Sequence, residues 1–394
     1  MYDLTKMRRI RDKVAIIGVG ESDYGKDYRR GGTTAARGAA PPYDAYDLAI
    51  TALKRALEDG GIKRDELDGI ITNSDVSHDR LSEIMGINPR WAGDEDAPRG
   101  VIEAAFAINA GMADTIALVK VTLNRAAGRP FGGPNVGGPL NYYYYSPWGY
   151  NSQGALYAMM FRRHQLVYGT TNEQLAAIPV AFRKAALLND NAVMQTPLTK
   201  EDYLNSRYIT EPLHLYDYCI INDGAVAIIL TSAERAKNYK KPPVYISGMG
   251  RCELYVDSSQ LRPRMEDFYY PAHREVAKQA YGMAGITVKD IDSFHTYDSF
   301  SVHLLFALEG LGFCKEGEAG AFIQDGRIEL GCELPCNTSG GMLSESYMQG
   351  WNHQPEIVRQ LRGEAGKRQI KNHDYIQYNQ DSTGRDVSII YRRG

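Results

Sequence analysis

An internal repeat constrains this chain more than any other feature of its sequence. The segment VAIIGVG (14–20) returns as VYISGMG (244–250), with Gly248 and Gly250 in the places of Gly18 and Gly20. Each copy reads as a β-branched strand that ends in glycines. The first is followed by YDAYDLAITALKRALEDGG, in which Ala45, Leu48, Ala49, Ala52, Leu53 and Ala56 recur at helical spacing before Gly60 and Gly61 stop the run. The second is followed by PAHREVAKQAYGMAG, another helix. Gly61, Asp68 and Thr72 are then matched, at one constant spacing, by Gly285, Asp292 and Thr296. A single helix–turn–strand match arises by chance, but strand, helix, glycine and aspartate in the same order do not. The chain is therefore expected to be a duplicated α/β unit. Its halves are residues 1–240 and 241–394, and an excursion over about 120–215 interrupts the first. The best candidate for a hinge between them is NYKKPP, where Pro242 and Pro243 cannot continue the preceding helix.

With 394 residues, the chain can support two compact cores or two halves that share one. A formal net charge of −3 gives no bulk attraction for nucleic acid or an anionic membrane. No segment reaches eighteen consecutive apolar residues, and the N-terminal apolar run is short and glycine-rich, so a cytoplasmic protein without membrane insertion is expected. The five cysteines form no CxxC, and Cys332 and Cys336 lack a second pair, so no metal site is expected. Gly18 and Gly20 lack the third glycine of a dinucleotide loop. Twenty-seven tyrosines stand against ten phenylalanines. That bias suits a large amphipathic ligand or a wet interface, and the run Tyr142, Tyr143, Tyr144, Tyr145 is a candidate substrate wall, partner surface or packed loop.

Several longer segments carry a family resemblance. VAIIGVGES, RRHQLVYGTTNEQLAAIPVAFRKAALLN, PLHLYDYCIINDGAVAIILTSAERA and CNTSGGMLSESYMQG together resemble the thiolase superfamily, most closely its sterol carrier protein x and lipid-transfer thiolase branch. The resemblance implies a thiolase-like α/β fold: two βαβαβαββ halves, each five-stranded, in a five-layered αβαβα body. The chemistry departs from that family. A thiolase needs a cysteine before its first-half active-site helix to take the acyl group as a thioester. Here WAGDEDAPRGVIEAAFAINAG offers only Asp94 to Ala97. Tyr347 stands where the Gly-His-Pro histidine would follow the Ser-Gly-Gly loop, and YDSF puts Tyr297 at the Asn or His position of a third element, with Asp298 next. The C-terminal loop, QYNQDSTGRDVSIIY, has lost the second cysteine.

This replacement pattern resembles the steroid side-chain-cleaving aldolases among the bacterial lipid-transfer-protein homologues. The resemblance implies retro-aldol cleavage of a β-hydroxyacyl-CoA to a ketone, a ketosteroid if the substrate is steroid-derived, and propionyl-CoA. Coenzyme A would be part of the substrate, and no other cofactor is expected. It further implies a homodimer formed through first-half strands and a second subunit with an OB-fold and a zinc ribbon.

Such a cleavage needs proton transfer but no acyl-enzyme. A phenol near its reference pKa of ~10 is ionised in only about one molecule in a thousand at neutral pH, so the site must favour phenolate or pass the proton along hydrogen bonds. Tyr297 and Tyr347 are the candidate catalytic pair, one serving the hydroxyl and the other the enolate, in an order the sequence leaves open. Asn337, Ser339, Gly340 and Gly341 are candidates for holding the loop or supplying an enolate hole. Asp298 could orient a tyrosine or cap the helix that follows it. His303 and His295 read as packed histidines. The alternatives are an atypical thiolase using Cys336 and a non-catalytic acyl-CoA or lipid-binding subunit.

Overall fold

The computed structural model describes residues 3–31, 43–129, 146–150, 152–254, 267–382 and 385–394. The tyrosine run 142–145 lies outside the described residues. Strands β1 (Val14–Glu21), β2 (Gly69–Thr72), β3 (Trp91–Asp94), β4 (Thr115–Leu123), β7 (Asp223–Ser232), β8 (Val244–Glu253), β9 (Ser293–Thr296), β10 (Tyr375–Ser382) and β11 (Arg385–Arg393) form one sheet in the order β3-β2-β4-β7-β1-β8-β11-β10-β9. β5 (Tyr208–Thr210) and β6 (Leu213–His214) pair separately. The halves meet where β1 runs antiparallel to β8, at Ala15–Tyr245 and Ile16–Val244 only.

The repeat is visible strand by strand. β1 corresponds to β8, β7 to β11, β4 to β10 and β2 to β9. The counterpart of β3 is shorter than the expected fifth strand: among the described residues it is a single parallel bridge from Phe294 to Cys336. Asn337 follows with φ +43° and turns the chain out of the sheet.

The residues matched between the repeats do identical work in both copies. A Cβ on Gly18 or Gly20 would strike the carbonyl oxygens of Ala56 and Ala52 in the Ala45–Gly60 helix. One on Gly248 or Gly250 would strike those of Ala280 and Val276 in the Tyr270–Ala284 helix. These glycines let a helix lie against its strand backbone to backbone. Gly61 and Gly285, at φ +66° and +68°, end the two helices. The Asp68 carboxylate accepts from the amides of Asp114 and Thr115 at the start of β4, and Asp292 accepts from Asp374 and Tyr375 at the start of β10.

Three buried clusters define the layers. The Ala45–Gly60 helix and its neighbour His78–Met85 cover one face of the first-half strands. The Tyr270–Ala284 and Val302–Gly310 helices cover one face of the second-half strands. Between them, the Arg99–Asn109 and His353–Arg362 helices share a core with the opposite faces of both half-sheets, through Val101, Ile108, Ile228, Ile357, Leu361 and Ile389. This is the expected five-layered αβαβα arrangement.

The link near residue 240 is pinned rather than hinged. Tyr239 donates its hydroxyl hydrogen to Glu66, and the Lys240 amide donates to the Gly60 carbonyl. The excursion begins after Leu123, since Thr115–Leu123 is a buried strand; it carries the Gln153–Tyr168 and Ala177–Ala186 helices. Among the described residues, no helix is long and apolar enough to cross a membrane.

Candidate active site

β2, β3 and β4 are parallel to one another, as are β9 and β10. A cavity of about 720 Å³ opens at the carboxyl ends of these strands, where an α/β fold places its ligands. Asn73 and Ser74 leave β2, Asp94 to Ala97 leave β3, Tyr297 leaves β9, and Gln380, Arg385 and Val387 come from the β10–β11 hairpin. The segment where a thiolase would carry its nucleophile, and the hairpin that stands in place of its second cysteine, thus both line the cavity. No cysteine does.

Tyr297 and Tyr347, fifty residues apart in sequence, reach the same wall with their hydroxyls 3.4 Å from each other. Tyr297 is held by its amide, which donates to the Asn379 carbonyl on β10. Tyr347 is held by its amide, which donates to Asn222 Oδ1 beside β7. The Tyr297 ring is 7% exposed, while Tyr347 is half-buried. Neither phenol is made more acidic. Burial pushes Tyr297 up to about 12, against the opposing effect of hydrogen bonds with Tyr347 and Ser299. Burial and the neighbouring Tyr297 push Tyr347 well above the ordinary phenol value. Of the two routes open to a phenol pair, a standing phenolate is the one this environment opposes.

The loop that follows the bridge strand lies behind this wall and not in it. Asn337 accepts from the Thr296 amide at 2.8 Å and donates to the Thr296 carbonyl at 3.1 Å, so it splices the loop to the end of β9. Ser339 donates to Glu345 at 2.6 Å. Gly340 and Gly341 sit at φ +109° and +59°, and a Cβ on Gly341 would collide with the Asp298 carboxylate. Asp298 does not cap the Val302–Gly310 helix, whose N-cap is Ser301. The two oxygens of Asp298 accept from the amides of Met342 and Leu343, donors left over at the start of the Gly341–Ser344 turn, and His353 approaches at 3.2 Å. None of Asn337, Ser339, Gly340, Gly341 and Asp298 lines the cavity.

Cys336 is buried, its thiol donates to the Leu334 carbonyl, and burial pushes it well above the ordinary thiol value. That is the setting of an inert cysteine. His295 is buried beside His353, and burial followed by that neighbour lowers it to about 3, which keeps it neutral.

Sequence reasoning missed several residues in the wall or bonded to it from behind. Lys120, 3% exposed, donates to Gln349 at 2.8 Å and reaches Asp96 at 3.3 Å. The indole N–H of Trp351 donates to the Asp96 carbonyl, and Arg99 pairs with Glu95 at 2.7 Å. One signal was available: TIALVKVTL is a fully buried strand, and a lysine in such a run needs a partner. Cys219, whose amide donates to the Ser299 carbonyl, also lies close behind the tyrosines.

The thiolase C-terminal domain-like family profile matches residues 256–382. The 17-hydroxy-3-oxo-4-pregnene-20-carboxyl-CoA lyase of Mycobacterium tuberculosis is 36% identical over 371 residues, which are 89% of this chain and 92% of the lyase. The steroid side-chain-cleaving aldolase of Thermomonospora curvata is 33% identical over 367 residues, 89% of this chain and 90% of the aldolase. The solved structure of the Ltp2-ChsH2(DUF35) aldolase superposes with a TM-score of 0.86 at 30% identity and 98% coverage of both chains. With its nucleophile gone and two phenols meeting at the cavity wall, the chain belongs to the acyl-CoA lyases (aldolases) of the thiolase superfamily, in the group of the steroid side-chain-cleaving aldolases.

Proposed function

We propose that the chain cleaves the side chain of a β-hydroxyacyl-CoA, with a steroid or similar polycycle as its ring system, to a ketone and propionyl-CoA. The observation that carries this reading is the contact between two phenols on a cavity wall that contains no thiol. Retro-aldol chemistry asks for what such a pair supplies: a group to take the β-hydroxyl proton and a group to hold or protonate the enolate. Tyr297 is the more enclosed of the two, so it serves the hydroxyl; Tyr347, partly exposed and beside Gln349, serves the enolate. The volume suits a large ligand, since drug-sized ligands occupy roughly 300–1,000 Å³. Coenzyme A enters as part of the substrate. Asn337, Ser339, Gly340, Gly341 and Asp298 keep Tyr347 and β9 in register from behind.

We further propose assembly with a second subunit, since one solved relative is named for two proteins, and a homodimer formed through β3, the outermost strand of the sheet among the described residues. The test is product analysis by mass spectrometry on a panel of β-hydroxyacyl-CoAs that includes 17-hydroxy-3-oxo-4-pregnene-20-carboxyl-CoA, using the chain alone and with the subunit that copurifies. Ketone and propionyl-CoA form with the wild type, and Tyr297→Phe or Tyr347→Phe lowers kcat/KM by about 10²–10⁴-fold without moving the unfolding midpoint. A trapped acyl-enzyme, or turnover abolished by iodoacetamide, rejects the reading.

A further inference from the structure

Among the described residues, the positively charged side chains that line the cavity are Arg99 and Arg385. Arg99 is committed to Glu95 at 2.7 Å and lies 3.9 Å from Glu253. Lys120 meets the wall from behind and is committed to Asp96 and Gln349. Arg385 is partly buried and, among the described residues, has neither an ion pair nor a side-chain hydrogen bond. Its guanidinium offers a planar fork of N–H donors and does not give up its charge.

Strand register places Arg385 on the wall that carries the phenols. β9, β10 and β11 lie side by side: Thr296 is opposite Asn379, whose carbonyl takes the Tyr297 amide, and Gln380 is opposite Val387. Two strand spacings of about 4.8 Å put β11 on the order of 10 Å from Tyr297. That gap is within the combined reach of an arginine and a tyrosine side chain. Alternation along β11 turns Arg385 and Val387 toward the cavity and Asp386 away from it, to within 3.9 Å of His273. On β10, Gln380 faces the cavity and Asp381 faces away, with His303 Nδ1 at 2.6 Å and His273 Nε2 at 3.0 Å from its carboxylate. The hairpin is thus tied down from behind, beside the residues it presents in front.

We propose that Arg385 is a catalytic residue of the cleavage, whose guanidinium holds the thioester oxygen while that oxygen carries the enolate charge. The inference rests on the acyl-CoA aldolase reading of the same cavity. Cleavage sends the C–C electron pair toward the thioester oxygen, and a neutral phenol can donate a hydrogen bond there but no charge. A charge-assisted hydrogen bond is roughly twice as strong as a neutral one, and a fixed donor needs no reorganisation as the charge develops. The protons balance within the phenol pair. The β-hydroxyl proton passes to Tyr297, the Tyr297 proton to Tyr347 across their 3.4 Å contact, and the Tyr347 proton to the α-carbon. The pair from the broken C–C bond ends in the new C–H bond, the O–H pair ends in the ketone, and Arg385 keeps its own protons. The phosphates of coenzyme A are the other anions of the substrate. The pantetheine arm holds them away from the thioester, whereas Arg385 shares a wall with the phenols.

The test compares wild type, Arg385→Gln and Arg385→Lys, each with the copurifying subunit. The substrates are the steroid CoA ester and the pantetheine ester of the same acid, which carries no phosphate. Arg385→Gln is expected to lose kcat by about 10²–10³-fold on both esters, as for a removed oxyanion donor, with KM within about threefold of wild type. Arg385→Lys keeps the charge without the fork and is expected to lose about tenfold. A loss confined to the CoA ester, or expressed only in KM, makes Arg385 a phosphate-binding residue and overturns the proposal. So does Arg385→Gln with kcat within about threefold of wild type. Should Arg385→Gln lower the unfolding midpoint, Arg385→Lys decides, and wild-type kcat in that variant overturns the enolate role. Each of these outcomes leaves the aldolase standing, because the wild type still cleaves; a wild type that cleaves neither ester overturns both.

Discussion

At Cys336 the thiol faces a backbone carbonyl in the interior, while two phenols occupy the wall that a thiolase would arm with sulfur. Cys336→Ser is therefore expected to keep kcat within about twofold, and iodoacetamide titration to leave turnover intact at full labelling of the exposed Cys332. Lys120 has the opposite character, being buried, charged and in contact with the wall. Burial pushes its ammonium down, against the pull of Asp96, and its bond to Gln349 holds a residue with φ +55° two positions from Tyr347. Replacing a buried ion pair with an apolar side chain is often neutral or stabilising, and Asp96 keeps access to water. Lys120→Met should leave the unfolding midpoint unchanged or higher while lowering kcat/KM by about tenfold, because Gln349 loses its anchor. Activity retained at the wild-type level would show that Gln349 holds itself.

Among the elements, the strand–helix unit was the most legible, because its requirements are local. Gly18 and Gly20 announced a close crossing, and their partners Gly248 and Gly250 announced it again. Gly20→Ala and Gly250→Ala are expected to destabilise by about 1–3 kcal/mol each, an overpacking cost readable from urea unfolding. Equal losses at the two sites would reflect their equivalence. The loop from Asn337 to Tyr347 was legible in sequence as a loop, but not in its attachments. Asp298 and Asn189 bind it from elements up to 156 residues away, and such contacts leave no periodic trace. His303 read as a packed histidine for the same reason, since its carboxylate partner lies 78 residues on.

Glu345 carries a consequence for stability. It accepts from Asn189, Ser339 and Asn352, and burial, followed by repulsion from Glu21, raises it to about 8. A folded value above the unfolded one of 4.5 means that the native state holds the proton more tightly. Its favourable contribution is complete below about pH 4.5 and is lost as pH rises through 8, at up to about 1.4 kcal/mol per pH unit. The unfolding midpoint should fall across that window, and Glu345→Gln should flatten the fall.

On the scale of the whole molecule, the two halves read from the repeat are not two independent cores. The Arg99–Asn109 and His353–Arg362 helices occupy one shared layer, and Arg362 reaches across to Asp59 at 2.7 Å with its own side chain fully buried. Calorimetry of the full chain should show one transition with equal calorimetric and van't Hoff enthalpies. The fragment 1–240 alone should fail to show a cooperative transition. Two separate transitions would mean that the central layer does not couple the halves.

The duplicated architecture has left its copies with unequal duties. Both tyrosines belong to the second copy, while the first supplies the opposite rim through Asn73, Ser74, Asp94 to Ala97 and Arg99. An ancestor that reacted through its first copy could surrender that copy to shape recognition once its sulfur was dispensable. Substrate range can then drift by changes along one rim while bond-breaking on the other is left untouched.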